Sequence, residues 1–437
     1  VNQQPAPAAS VKAAPVDNRS LFETLAASPV PRSAFRALLF NLASSALLLL
    51  GNAYAARSLG PTNLGVGAQV LAMVQQASLA FNGGLDHVAV RLIAAHQEPP
   101  AAVARSVLSF RFVMAVALAC VWSVIALLVL PPGAVRAAWL MGAVLLVVTS
   151  LQLPFLFQAV EQMPRFAAFS AMSSLLVAVT YWLTFHPGMP AGSDLVVMAC
   201  VGVFSASVIV ALSFRMVNLP YRTLLTGWSD SIALLRRLLA QSWRYWILAV
   251  LIFIYSVLPV LLVGHLRGDA AAGILRIGLV LAGGLELLFS SINSLLLPRL
   301  VQWHQEGNDV LRARQGQLLK THVTLGLAVA VVTLLAAPWV FRRFLGPEFL
   351  PGLAPFLVLA MARVVVFVGQ IYAWTLVALR LDAQLLYATC CGAAISLLLN
   401  LLLIPRFGVM GAAYASLVAE VVIVSLAFLW QRQHVRS

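Results

Sequence analysis

Predominantly apolar runs of about twenty residues recur along the whole chain, and they limit what it can fold into. Such runs fall at 36–57, 65–85, 109–131, 136–158, 166–186 and 194–216, then at 243–264, 272–298, 321–341, 351–378, 384–404 and 409–430. Each is long enough to carry a helix across roughly 30 Å of hydrocarbon. Backbone amides have no water to bond to in a bilayer, so apolar runs of this length form helices. The expectation is an all-α polytopic membrane protein with about twelve transmembrane helices. Composition agrees: of 437 residues 62% are hydrophobic and only 10% are charged. A soluble domain carries about a quarter charged residues.

The formal charge of +14 comes from 28 Lys+Arg against 14 Asp+Glu. In a soluble chain this excess suggests nucleic-acid binding; here the basic residues fall mostly between the apolar runs, so neither nucleic acid nor nucleotide is expected as a partner. With the N-terminus inside, the cytoplasmic segments and adjoining span ends hold 20 Lys and Arg, and the opposite face holds 7. That imbalance fits cytoplasmic N- and C-termini. Residues 217–242 divide the spans into two pseudo-symmetric six-helix bundles, 34–216 and 243–430. They are flanked by a cytoplasmic tail with a short helix at 1–33 and a second tail at 431–437. In the linker, Ser229-Asp230 reads as a cap for a helix with Leu234, Leu235, Leu238 and Leu239 on its apolar face, lying at the cytoplasmic surface. An even number of helices per bundle inserts both in the same direction, as in transporters whose halves are related about the membrane normal.

Enzyme signatures are missing: the chain has no GxGxxG, Walker A, HExxH or GxSxG motif and no acidic metal cluster. No catalytic residue, metal or cofactor is expected. Cys120, Cys200, Cys390 and Cys391 lack CxxC spacing and read as small apolar core residues. The first 30 residues contain no hydrophobic signal core, so a cleaved leader is not expected there.

The informative residues are polar groups at membrane depth. Glu286, Arg363 and Glu420 fall inside the eighth, tenth and twelfth runs. Against lipid each costs about 2.5–3.5 kcal/mol on insertion scales, so they should face a bundle interior or a wet cavity. Two readings stand for them: structural pairing of Arg363 with Glu286 or Glu420, or a role in substrate passage or proton coupling. In the first half the charges near the membrane are Arg36, Arg57, Asp86, Arg91 and Arg111. Arginines lining one cavity suit a polyanionic headgroup, because guanidinium bonds phosphate bidentately. Anchoring on the positive side of the membrane explains each of them equally well. Polar runs in spans two, five and eight (Gln69, Gln75 and Gln76; Ser170, Ser173 and Ser174; Ser290, Ser291 and Asn293) read either as helix-packing contacts or as a hydrated wall.

Three stretches carry a resemblance. The first is Arg57-Ser-Leu-Gly-Pro-Thr-Asn-Leu-Gly65. The second runs from Asn82-Gly-Gly-Leu85 to Arg91, with Asn82-Gly83 standing where Asp-Leu is common. The third starts at Phe344-Leu-Gly-Pro-Glu-Phe349, continues to Leu379-Arg380 and Leu399-Asn400, and closes with Pro405-Arg406-Phe-Gly-Val-Met-Gly411. Together they resemble the polysaccharide and O-antigen flippases of the multidrug/oligosaccharidyl-lipid/polysaccharide exporter superfamily, over residues 30–430. The resemblance implies a bacterial inner-membrane exporter that alternates between inward- and outward-open states. Its substrate would be a polyprenyl-pyrophosphate oligosaccharide, held by cationic cavity residues while the lipid tail stays among membrane lipids. Polymerase and glycosyltransferase partners are implied in the same way. The competing readings are an ion-coupled multidrug or small-molecule antiporter of the same superfamily, and a nontransporting scaffold for polysaccharide assembly.

Overall fold

A computed structural model describes residues 32–94, 97–160, 162–216, 228–293, 296–379 and 381–436. Segments 1–31 and 217–227 lie outside these residues, and with them the expected N-terminal helix and the first part of the expected linker. Among the described residues the secondary structure is entirely helical.

Helix α1 (Arg32–Asn82) is two spans joined end to end. Gly60 separates them with φ 72° and ψ 169°, a conformation open to glycine, and Pro61 starts the second leg where its missing N–H costs nothing. The second leg stops at Asn82. The chain turns at Gly83–Gly84 and restarts as α2 (Leu85–Ala94). The first half continues with α3 (Pro100–Val129), α4 (Ala134–Ser150), α5 (Pro154–Ala159), α6 (Met163–Thr184) and α7 (Ser193–Met216). The second half holds α8 (Trp228–Ser256), α9 (Leu258–Arg267), α10 (Asp269–Asn293), α11 (Leu296–Glu306) and α12 (Asn308–Val340). A π turn (Phe341–Leu345) and a 3-10 turn (Pro347–Gly352) lead to α13 (Leu353–Ala378), α14 (Asp382–Phe407) and α15 (Val409–Arg436). Ten described stretches are long and apolar enough to cross a membrane. The first of them contains both legs of α1, and α10 adds another helix of 25 residues.

The outer surface is apolar. Leu128 and Leu183 are each 81% exposed and Leu335 is 74% exposed, which fits hydrocarbon as the surrounding solvent. Three of the four cysteines share that surface: Cys120, Cys200 and Cys391 are exposed, against the expectation of core packing. Hydropathy reports that a residue is in a span, and says little about whether it faces lipid or protein.

Two packed regions position the site. At the end of the bundle that carries Gly60, α1, α6, α9, α10 and the 341–356 segment share one core, with Leu59, Leu64, Tyr181, Val263, Leu275 and Phe349 at its centre. This core joins both halves of the chain. At the opposite end, which carries Arg91, a separate core of the first half includes Leu85, Leu92, Leu108 and Phe155. It also takes in Leu238 of α8, which is fully buried. The expected surface helix is therefore the start of a 29-residue helix that docks on α2 and α3. Arg237 pairs with Glu98 at 3.1 Å, and Trp246 donates to the Leu79 carbonyl at 3.0 Å. Trp246 packs closely against Gly83, where a Cβ would collide with its ring. The apolar stripe was legible in the sequence, but its partner is protein as well as membrane.

Candidate functional site

Two cavities, of 1040 and 710 Å³, share Tyr255, Glu286 and Arg363 in their walls; the smaller lies between the halves, whereas the larger is walled by the second half and α8, with Arg91 added from the first. The larger is lined by Arg91, Gln241, Trp243, Trp374, Asp382 and Glu420, and so faces the Arg91 end. The smaller reaches toward the Gly60 end between Asn52, Ala72 and Gln75 of α1 and Arg276, Leu279 and Ser416 of the second half. Both are of the size that holds a drug-like molecule or a saccharide unit.

The shared wall holds the strongest charge in this space. Arg363 Nη1 donates to Glu286 Oε2 at 3.0 Å, and its Nη2 lies 3.9 Å from Glu420 Oε1. Helices α10, α13 and α15 each supply one member. Glu420 is nearly enclosed, with its side chain 8% exposed, whereas that of Glu286 is 54% exposed. Two carboxylates thus share a single guanidinium, leaving one negative charge in excess if both are ionised. Arg363 pairs with both candidates, where the sequence offered one or the other.

The first-half residues do not gather around that cluster. Arg111 is 1% exposed and donates to Asp86 at 2.8 Å, with its guanidinium 5.8 Å from the centre of the Phe155 ring. Arg91 stands at the mouth of the larger cavity and donates to Gln241 Oε1 at 2.6 Å. Arg57 is exposed at the Gly60 end, near the Arg343 carbonyl. Arg36 belongs to the first turns of α1, and its side chain lies outside the described residues, as do those of Ser290, Ser291 and Asn293. The described serines of spans one, five and six pair directly: Ser44 with Ser174 at 2.6 Å, and Ser173 with Ser205 at 2.7 Å. Both pairs tie helices together, and Ser173, Ser174 and Ser205 also edge a small 180 Å³ cavity. Among the described residues no group of three His, Cys, Asp or Glu comes together to hold a metal ion.

One pair escaped the sequence reading. Asp194, at the start of α7, accepts a 2.8 Å hydrogen bond from Arg276 of α10, and their side chains are 1% and 10% exposed. Each lies near the end of a run, where a charge is ordinarily a helix cap or an interface anchor, so neither stood out. The available signal was Gly67 in span two. A Cβ there would lie 2.7 Å from Asp194 Oδ2 and 2.9 Å from Arg276 Nη1, so glycine leaves room for the pair.

Helices in this order, with a cavity between the halves, share their fold with solved transporters of the MOP superfamily. An inward-facing multidrug resistance MATE family transporter aligns at a TM-score of 0.62 and 15% identity, over 92% of this chain and 98% of its own. The outward-facing conformation of a multidrug resistance MATE family transporter gives 0.57 at 14% identity, over 93% and 96%. The lipid II flippase MurJ, in an inward closed conformation, gives 0.67 at 12% identity, over 90% and 87%. No curated protein matches the sequence. The family model described as polysaccharide biosynthesis protein matches residues 30–304, and the chain belongs to that family.

Proposed function

We propose that this protein is an alternating-access transporter that moves lipid-linked saccharide units across the bacterial inner membrane. The observation that carries the reading is the pair of adjoining cavities that meet at Tyr255, Glu286 and Arg363, walled by charged and polar groups inside an otherwise apolar bundle. A phosphorylated or sugar headgroup cannot cross hydrocarbon without such a path. Membership of the polysaccharide biosynthesis family supports the saccharide, and likeness to a lipid II flippase supports a lipid carrier. In this reading the halves 34–216 and 243–430 move against each other, and the Arg91 end is cytoplasmic, in keeping with the excess of basic residues on that side. Arg91 at the mouth and Arg363 in the depth are the cations that meet the headgroup. Arg111, bonded to Asp86 on the helix that carries Arg91, ties that helix to α3. Polymerases and glycosyltransferases acting on the same lipid-linked unit are the expected partners.

A second reading is an ion-coupled multidrug or small-molecule antiporter. The excess carboxylate of the Glu286–Arg363–Glu420 cluster favours it, since such a group binds a proton or a cationic drug, as does the likeness to multidrug resistance transporters. Reconstitution into liposomes separates the two. Transbilayer movement of a fluorescent polyprenyl-pyrophosphate oligosaccharide, lowered at least tenfold by Arg363→Gln, is the expected result. Movement of a cationic dye with none of the lipid-linked sugar overturns the first reading in favour of the second.

A further inference from the structure

The Gly60 end of the cavity is closed by a seam with an unusual construction. Pro61, Gly65 and Gln69 recur every four residues and so form one stripe along the second leg of α1. Asp269 and Gly273 of α10 face it. A Cβ on Gly65 would run into the Asp269 carbonyl, and one on Gly273 into the Pro61 carbonyl, so the two backbones touch. Gln69 Nε2 donates to Asp269 Oδ1 at 2.6 Å, across the same seam. One turn deeper, Arg276 Nη1 donates to Asp194 Oδ2 at 2.8 Å and to the Leu64 carbonyl at 3.3 Å. Asp194 and Leu64 belong to the first half and Arg276 to the second.

This pair is a poor device for static stability. Asp194 Oδ1 is buried without a partner, and a buried ion pair gains little unless its remaining lone pairs are bonded. Arg276 also lines the smaller cavity, so parting the helices would admit water to both charges. Its cost therefore falls in the parted state, which is what a two-state contact requires. From this geometry we infer that Asp194 and Arg276, with the Gly65–Gly273 seam, form a latch that shuts the transport path at the Gly60 end and opens when the path faces that side. The inference rests on the alternating-access reading.

The test is chemical access. In a chain with the four native cysteines replaced by serine, Ser416→Cys reports on the smaller cavity. A membrane-impermeant maleimide is added on the side where a separate Gly188→Cys variant is labelled, because residue 188 lies in the exposed turn at the Gly60 end. Asp194→Asn should raise the labelling rate of the Ser416→Cys chain at least tenfold. The exchange Asp194→Arg with Arg276→Asp should return it to within threefold of the parent. Should Asp194→Asn fail to fold, Gln69→Leu removes the shallower bond and should raise labelling about threefold. An unchanged rate in a folded Asp194→Asn or Gln69→Leu protein overturns the latch. The readout needs no substrate, so failure of lipid transport alone would refute the proposed function and leave the latch standing.

Discussion

Replacing Arg363 with Met tests how the central charges are held, because its two partners differ in their access to water. The Glu420 side chain is 8% exposed and that of Glu286 is 54% exposed. Breaking a buried pair strands a charge and costs about 3–5 kcal/mol. A half-exposed partner contributes about 0–1 kcal/mol, because solvent already screens it. Arg363→Met should therefore destabilise the protein by about 3–5 kcal/mol, nearly all of it through Glu420. Adding Glu420→Gln removes the stranded charge and should bring the double variant to within about 2 kcal/mol of the parent, the residue being the cost of a poorly bonded amide. Adding Glu286→Gln should recover less than about 1 kcal/mol. Thermal unfolding of detergent-purified protein, read as a double-mutant cycle, measures both couplings. Equal recovery by the two glutamine substitutions would refute the reasoning, since burial would then not be what separates the partners.

Four other substitutions probe the packing. Gly67→Ala places a methyl group 2.7 Å from Asp194 Oδ2, and forcing the pair apart should cost about 1–3 kcal/mol in thermal unfolding. Leu238→Ala should cost about 2–5 kcal/mol because that side chain is fully buried. Its neighbour Leu239, 41% exposed, should change stability by less than about 0.5 kcal/mol on truncation, whereas a helix merely lying on the membrane would show no such contrast. Ser44→Ala should cost under about 1 kcal/mol in the same assay, because Ser174 keeps its bond to the Ser170 carbonyl.

What could be read from the chain and what could not divide along a physical line. The spans and the gap that holds Gly60–Pro61 follow from hydropathy and local backbone chemistry, so they were visible in the residues themselves, whereas the turn at Gly83–Gly84 falls inside the run 65–85 and hydropathy passes over it. The cost of burying charge pointed to Glu286, Arg363 and Glu420 for the same reason. Tertiary pairing has no such local signature. Asp194 and Arg276 stand 82 residues apart and each looked like an ordinary helix-end charge. Arg111 and Arg91 looked alike in sequence, yet one is sealed by Asp86 and the other stands at a cavity mouth. Leu238 declared an apolar face without declaring which surface would cover it.

The docking of α8 has a consequence for building hybrid proteins. Leu238 and Trp246 belong by chain order to the second half but rest on the first. A chimera joined between residues 217 and 227 would therefore pair one parent's helix with the other parent's seat. Moving the junction to Val257, where α8 gives way to α9 ahead of Pro259, keeps both sides of that joint from one parent. The natural unit of exchange between relatives is then set by the helix break rather than by the connecting loop.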